Sequence, residues 1–247
     1  MDHRPASQRA GGGGTPDDRA ILYLHGGAYT MGSCDTHRTL AARLAVASRT
    51  PVLQPAYRLA PEHPHPAALQ DCVAAYRSLI DAGIPPRQTV VAGDSAGGGL
   101  AVALAVSLRD AVVPLPAALV CMSPWVDLAL TGDSLRTRAP VDPVCSLTDS
   151  RFHARLYVGD ADPRAVLISP IHADLRGLPP LLIHVGDREI LLSDAMRLAT
   201  QASDHGVDAE LKIWEGMWHV WHLFAASVPE ARRAVEEIGG FIRNHIG

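Results

Sequence analysis

The chain has 247 residues, 47% of them hydrophobic, and a formal net charge of −4. That length and apolar content suffice for one large α/β core. The nearly balanced charge supplies no basic face for nucleic acid or an anionic membrane surface and no like-charge tail, so a small neutral or anionic partner fits better.

Met1 to Asp18 is polar, contains the run Gly11–Gly14 and has no apolar segment of signal-peptide type. Residues 1–18 therefore read as a flexible lead-in and residues 19–247 as one domain. Ala20 to Leu24 is a short apolar run that ends at His25-Gly26-Gly27-Ala28, which reads as a buried strand emptying into a glycine loop. Asp35 to Arg49 has the spacing of an amphipathic helix, and Pro51 to Gln54 reads as the next strand. Tyr57 to Pro66 is too rich in proline for regular structure and forms an ordered loop, after which Ala67 to Asp81 resumes a helical pattern through Leu69, Val73, Tyr76 and Ile80.

Thr89 to Ala92 is a strand that runs into Gly93-Asp94-Ser95-Ala96-Gly97 and then into a small-residue helix. A G-x-S-x-G turn between strand and helix holds its serine in a strained conformation, so Ser95 is the candidate nucleophile, its hydroxyl expected to stand exposed. Ala117 to Met122, Leu181 to Val185 and Ala209 to Trp214 are further apolar strands. The irregular stretch 127–170, with one modest helix at Thr148 to Tyr157, reads as a lid-like insert. Alternating strands and helices over this length predict an α/β fold built on a mostly parallel, doubly covered sheet, with chemistry at the C-terminal strand ends.

A serine hydroxyl needs a base, and the base needs an acid to orient it. His219 follows the last strand, where a loop can bring an imidazole over the sheet edge toward Ser95. The loop after Leu181 to Val185 offers Asp187 and Glu189, with Asp194 further off. Asp187 precedes a helical pattern and is placed to cap it, which leaves Glu189 as the acid. Gly27 and Ala28 in the glycine loop and Ala96 after the serine supply backbone N–H groups for an oxyanion hole. No Lys-Ser/Thr follows the glycine loop and no G-x-G-x-x-G spacing is present, which argues against a nucleotide site. The pairs His219/His222 and His63/His65 have no H-E-x-x-H helix or Cys/His cluster beside them, so neither metal nor cofactor is expected. Cys34, Cys72, Cys121 and Cys145 form no C-x-x-C pair and read as thiols of a reducing, cytoplasmic setting.

His25-Gly26-Gly27, Tyr57-Arg58-Leu59-Ala60-Pro61-Glu62, Gly93-Asp94-Ser95-Ala96-Gly97-Gly98 and the Gly-Met-x-His segment ending at His219 resemble the hormone-sensitive-lipase-like α/β-hydrolases. The resemblance runs from about residue 20 to the C-terminus. It implies a carboxylesterase-type serine hydrolase that cleaves short acyl esters or lactones through an acyl-enzyme. Ser95, Glu189 and His219 would be the triad, Gly27, Ala28 and Ala96 the oxyanion donors, and His25, Gly26 and Asp94 supporting residues. Glu189-Ile190-Leu191 fills the family's frame for the acid, with Glu for the commoner Asp. The alternatives are a hydrolase-fold binding protein, against which His219 counts, and an amidase or transacylase using the same residues. Relatives carry two more strands and cap helices before the glycine loop, so the N-terminal part reads as shortened, with one sheet edge left uncovered and self-association expected. Similar proteins pair through the strand at Ala209 to Trp214, which makes a homodimer an expectation.

Overall fold

The computed structural model describes residues 7–10 and 18–246. Seven strands form one sheet in the order β1-β3-β2-β4-β5-β6-β7. They are β1 (Ser7–Ala10), β2 (Ala20–Leu24), β3 (Val52–Pro55), β4 (Thr89–Asp94), β5 (Ala118–Met122), β6 (Leu181–Gly186) and β7 (Ala209–Trp214). The pairs from β3 through β7 are all parallel, and only β1 runs antiparallel, on β3.

The helices cover both faces, because successive side chains of a strand point to opposite sides. Ile21, Tyr23, Val90, Ala92, Val120 and Met122 face one core, into which α1 (Cys34–Ser48) and α7 (Pro229–Ile246) pack. Leu22, Leu24, Val91, Leu119, Cys121 and Ile183 face the other, filled by α2 (Ala67–Asp81), α3 (Ala96–Asp110) and α6 (Leu192–Asp204). The expected doubly covered, mostly parallel sheet is therefore the observed one.

Three features depart from expectation. Ser7–Ala10, assigned above to a flexible lead-in, pairs residue for residue with Val52–Pro55 and covers the edge of β3 that was expected to stand open. Nothing apolar marks this segment as a strand, and its state is decided by the unpaired main-chain groups of β3 that it satisfies. Residues 1–6 and 11–17, Gly11–Gly14 among them, lie outside the described residues. The second departure is α7, an amphipathic helix that buries Ala231, Ala234, Val235, Ile238, Ile242 and Ile246. Its 3.6-residue periodicity is plain in the sequence. The third is β7, which lies at the sheet edge and leaves Ile213 half-exposed, so it is not a fully buried strand.

Between β5 and β6 the chain makes its longest excursion, which carries α4 (Ser134–Thr137) and α5 (Leu147–Val158). Asp127 starts it, its carboxylate accepting from Ala129 N and Thr131 N and from Arg197 at 2.7 Å. Helix α5 docks on the loop after β2, where Tyr157 stacks on Tyr29 at 3.9 Å and His153 Nδ1 lies 2.7 Å from Thr30 Oγ1.

Helices α1 and α7 approach closely at Gly239, where an added Cβ would stand 2.6 Å from the carbonyl carbon of Ala47. Replacing glycine by alanine inside a helix normally stabilises it by up to about 1 kcal/mol. At this contact Gly239→Ala is expected to reverse that sign and cost about 1–3 kcal/mol as overpacking. Thermal unfolding should show a midpoint lowered by about 2–4 °C per kcal/mol, and a raised midpoint would contradict the contact.

Candidate active site

The loops at the C-terminal ends of β2, β4, β5, β6 and β7 converge on Ser95. The serine has φ 53° and ψ −119°, between the last residue of β4 and the first of α3. Its N–H donates to Met122 O at 2.8 Å, while its carbonyl accepts from Gly99 N and Trp125 N. Neighbouring glycines make this turn possible. A Cβ on Gly93 would lie 2.3 Å from Gly97 O, and one on Gly97 would lie 1.9 Å from Leu24 O. The strain is thus stored by packing that permits no other path. The side chain is not exposed as expected: Ser95 is 8% accessible, in a floor between the β2 loop and the insert.

His219 and Glu189 meet the serine from two different loops. His219 Nε2 is 3.0 Å from Ser95 Oγ, and its Nδ1 is 2.7 Å from Glu189 Oε2. Glu189 is fully buried, and its other oxygen accepts from Gly186 N at 2.7 Å and from Ser123 Oγ at 2.8 Å. Ser123 Oγ in turn accepts from Val220 N at 3.1 Å, so this one hydroxyl ties the acid to the histidine loop. Ser123 was missed by sequence reasoning, since a serine at a strand end has no distinguishing pattern. A carboxylate facing Nδ1 requires a proton there, which leaves Nε2 free to accept from the serine. Burial disfavours the charged imidazole, but the neighbouring Cys145 sulfur and the Glu189 carboxylate outweigh it and raise the His219 pKa. Cys145, which comes from the insert, neighbours this histidine without any sequence signal.

The competing acids are placed elsewhere. Asp187 does not cap α6, whose N-cap is Leu191 without a side-chain bond. It accepts instead from Gly216 N at 2.7 Å and shapes the turn after β7 that leads to the histidine. Asp194 is buried and accepts from Val126 N and Asp127 N, each at 3.0 Å. His222 is buried away from the serine, with Nε2 3.4 Å from His184 Nδ1. His65 Nδ1 lies 3.3 Å from Tyr157 Oη. Among the described residues no group of three or more His, Cys, Asp or Glu is arranged to hold a metal ion.

Facing Ser95, the β2 loop passes through Gly27 (φ 120°), Ala28 (φ 52°) and Tyr29 (φ 63°), three consecutive positive φ angles. Such a run turns successive N–H groups into one concavity. Ala96 opens α3, so its N–H has no acceptor within the helix. Gly26 N donates to Asp94 Oδ1 at 3.0 Å, which anchors this loop to the residue before the serine. His25 stacks on Tyr57 at 4.2 Å and faces Gly26 O with Nδ1 at 2.8 Å. The Tyr57 hydroxyl donates to His25 O at 2.6 Å.

Comparisons with known proteins identify the family. Residues 21–223 match the alpha/beta hydrolase fold family, and the chain belongs to it. It is 48% identical to an acetyl-hydrolase of Streptomyces hygroscopicus over 99% of this chain and 79% of that protein. It is 39% identical to an esterase of Acinetobacter venetianus over 90% and 73% of the two chains. The solved structure of an esterase from the bacterial hormone-sensitive lipase family superposes with a TM-score of 0.94 at 47% identity, covering 100% of this chain and 86% of that one. The hormone-sensitive-lipase-like resemblance and the hydrolase fold are thus borne out, and the chain is an enzyme of the esterase class. Among the described residues no helix is long and apolar enough to cross a membrane.

The buried Asp194 gives the fold a pH dependence of definite sign. Burial and the adjacent Asp127 push its pKa up to about 7, against the two N–H bonds and Arg197. An unfolded Asp titrates near about 3.9, so between about pH 4 and about 7 the native state binds more protons than the unfolded chain. Stability from this group therefore falls as pH rises through that window, and the penalty is complete above it. Asp194→Asn keeps an acceptor for the two N–H groups and removes the titration. In urea unfolding the variant should gain on the wild type as pH rises from about 5 to about 8, and a pH-independent difference would exclude the effect.

Proposed function

We propose that the protein hydrolyses carboxylic esters of short acyl groups, or lactones, through an acyl-enzyme on Ser95. The observation that carries this reading is the unbroken chain from Glu189 through His219 to Ser95, at 2.7 and 3.0 Å. In the first half-reaction Ser95 Oγ attacks the carbonyl carbon while His219 Nε2 takes its proton. Charge builds on the carbonyl oxygen, to be met by the N–H groups of Gly27, Ala28 and Ala96. The imidazolium, stabilised by Glu189, then returns the proton to the leaving alcohol. In the second half-reaction water attacks the ester of Ser95 with the same base, and the acid is released. Related proteins support the substrate class: EstE5, of which a crystal was soaked with p-nitrophenyl butyrate, superposes with a TM-score of 0.95 at 45% identity, covering 98% of this chain and 82% of that one.

The insert 127–170 acts as a lid in this reading, a role supported by its contacts with Tyr29 and Thr30 on one side of Ser95 and with His219 on the other. Four unpaired cysteines, three of them buried, suit a reducing cytoplasmic setting. The half-exposed Ile213 on edge strand β7 supports pairing of two copies there.

Ser95→Ala and His219→Ala are each expected to lower ester turnover by about 10⁴-fold with the fold retained, whereas His222→Ala should act through stability. Glu189→Gln should lower kcat by about 10³- to 10⁴-fold with little change in KM, while Asp187→Asn loses stability and not activity. Reversed phenotypes at positions 187 and 189 would move the acid to Asp187. Across a chain-length series of p-nitrophenyl esters, acyl groups of about two to six carbons should be preferred, since the insert closes over the serine. A rate that climbs steadily toward long chains would exclude that pocket.

A further inference from the structure

Asp94 is a buried carboxylate next to the nucleophile, where a bare negative charge would oppose the oxyanion that forms on the carbonyl oxygen. Its Oδ1 accepts from the Tyr23 hydroxyl at 2.6 Å and from Gly26 N at 3.0 Å. Its Oδ2 faces Nε2 of His37, 3.2 Å away, from the first turn of α1. The proton inventory of this histidine follows from its neighbours. Thr36 Oγ1 lies 2.8 Å both from His37 Nδ1 and from Ser33 O, and with its hydrogen on that carbonyl it accepts from the ring. Ser33 O, 3.4 Å from the same nitrogen, is likewise an acceptor. Both ring nitrogens therefore face acceptors, and the ring that satisfies them is an imidazolium.

We propose that His37 is a positioning residue for ester hydrolysis: as a buried cation it neutralises Asp94, so that the carboxylate can hold the Gly26 N–H and the oxyanion loop without repelling the oxyanion. This rests on the proposed role of Ser95. The groups facing His37 are Asp94 from β4, Tyr23 from β2 with ring centroids 6.3 Å apart, His25 from the glycine loop stacked at 5.5 Å, and Ser33 and Thr36 of its own helix start. Burial works against charge on His37, but Asp94 and Ser33 O outweigh it and raise its pKa. Burial likewise works against charge on Asp94, yet His37, Tyr23 and His25 hold its pKa low. Burial lowers that of His25, whose Nδ1 faces Gly26 O, so the positive charge of the cluster sits on His37.

His37→Gln keeps an N–H for Asp94 but removes the charge. It should lower kcat by about 10- to 50-fold with KM little changed, the size expected when one buried charge near a developing oxyanion is lost. His37→Gln combined with Asp94→Asn restores neutrality and should recover most of that loss, which a merely structural role would not allow. The wild-type kcat should show an alkaline limb as His37 loses its proton, and this limb should be absent from the double variant, a comparison that stands even if His37→Gln alone fails to fold. Full kcat in His37→Gln, a double variant no better than the single one, or a wild-type profile without the limb would each overturn the inference. Failure of the nucleophile assignment shows separately, as turnover retained by Ser95→Ala.

Discussion

The structure depends on one constraint: the turn at Ser95 must carry the chain from the end of β4 into α3 with a positive φ and no room for a side chain on either flank. Leu24 O from β2 presses on Gly97, and Gly97 O presses on Gly93. The strain is held because β4 is central, paired to β2 on one side and β5 on the other, so neither end of the turn can relax without breaking a ladder. Met122 O, at the end of β5, accepts the Ser95 N–H and fixes the serine against the neighbouring strand.

Around that fixed point two buried histidine–carboxylate pairs are arranged on opposite sides. Glu189 and His219 form one, beside Ser95, and Asp94 and His37 the other, beside Gly26 of the glycine loop. Buried ion pairs are weak stabilisers because desolvation offsets their attraction, so such pairs stay where their remaining hydrogen bonds are filled. Both carboxylates here meet that condition: Glu189 accepts from Ser123 and Gly186, Asp94 from Tyr23 and Gly26. Each carboxylate also fastens a backbone segment, the turn after β6 in one case and the glycine loop in the other. Electrostatics and loop geometry are set by the same atoms.

The insert completes the site from above. Asp142 holds it to the acid loop by accepting from Val144 N and Cys145 N on one oxygen and from Ile190 N on the other. Cys145 consequently reaches His219, and α5 reaches the oxyanion loop through His153 and Tyr157. A segment with little regular structure is thereby fixed against the acid loop, the histidine and the loop after β2.

Patterns that depend on neighbours in sequence were legible without coordinates. The apolar runs of β2, β4, β5 and β6, the helices α1 and α2, the G-x-S-x-G turn and the order serine, acid, histidine all follow from local periodicity and from what a strained turn demands of its residues. Glu189 could be preferred to Asp187, but for the wrong local reason: Asp187 serves the turn at Gly216 and caps no helix. What the sequence could not settle are contacts between segments far apart in the chain. The pairing of polar Ser7–Ala10 with β3, the bridge from Ser123 to Glu189 and Val220, the thiol of Cys145 above His219 and the pairing of His37 with Asp94 have no local signature. The sequence by itself determined most of the elements and the chemically able residues, because main-chain sterics and hydrophobic period act over a few residues. Only the tertiary structure decided which of those residues share a proton, a charge or an edge, because that depends on distances the folded sheet creates.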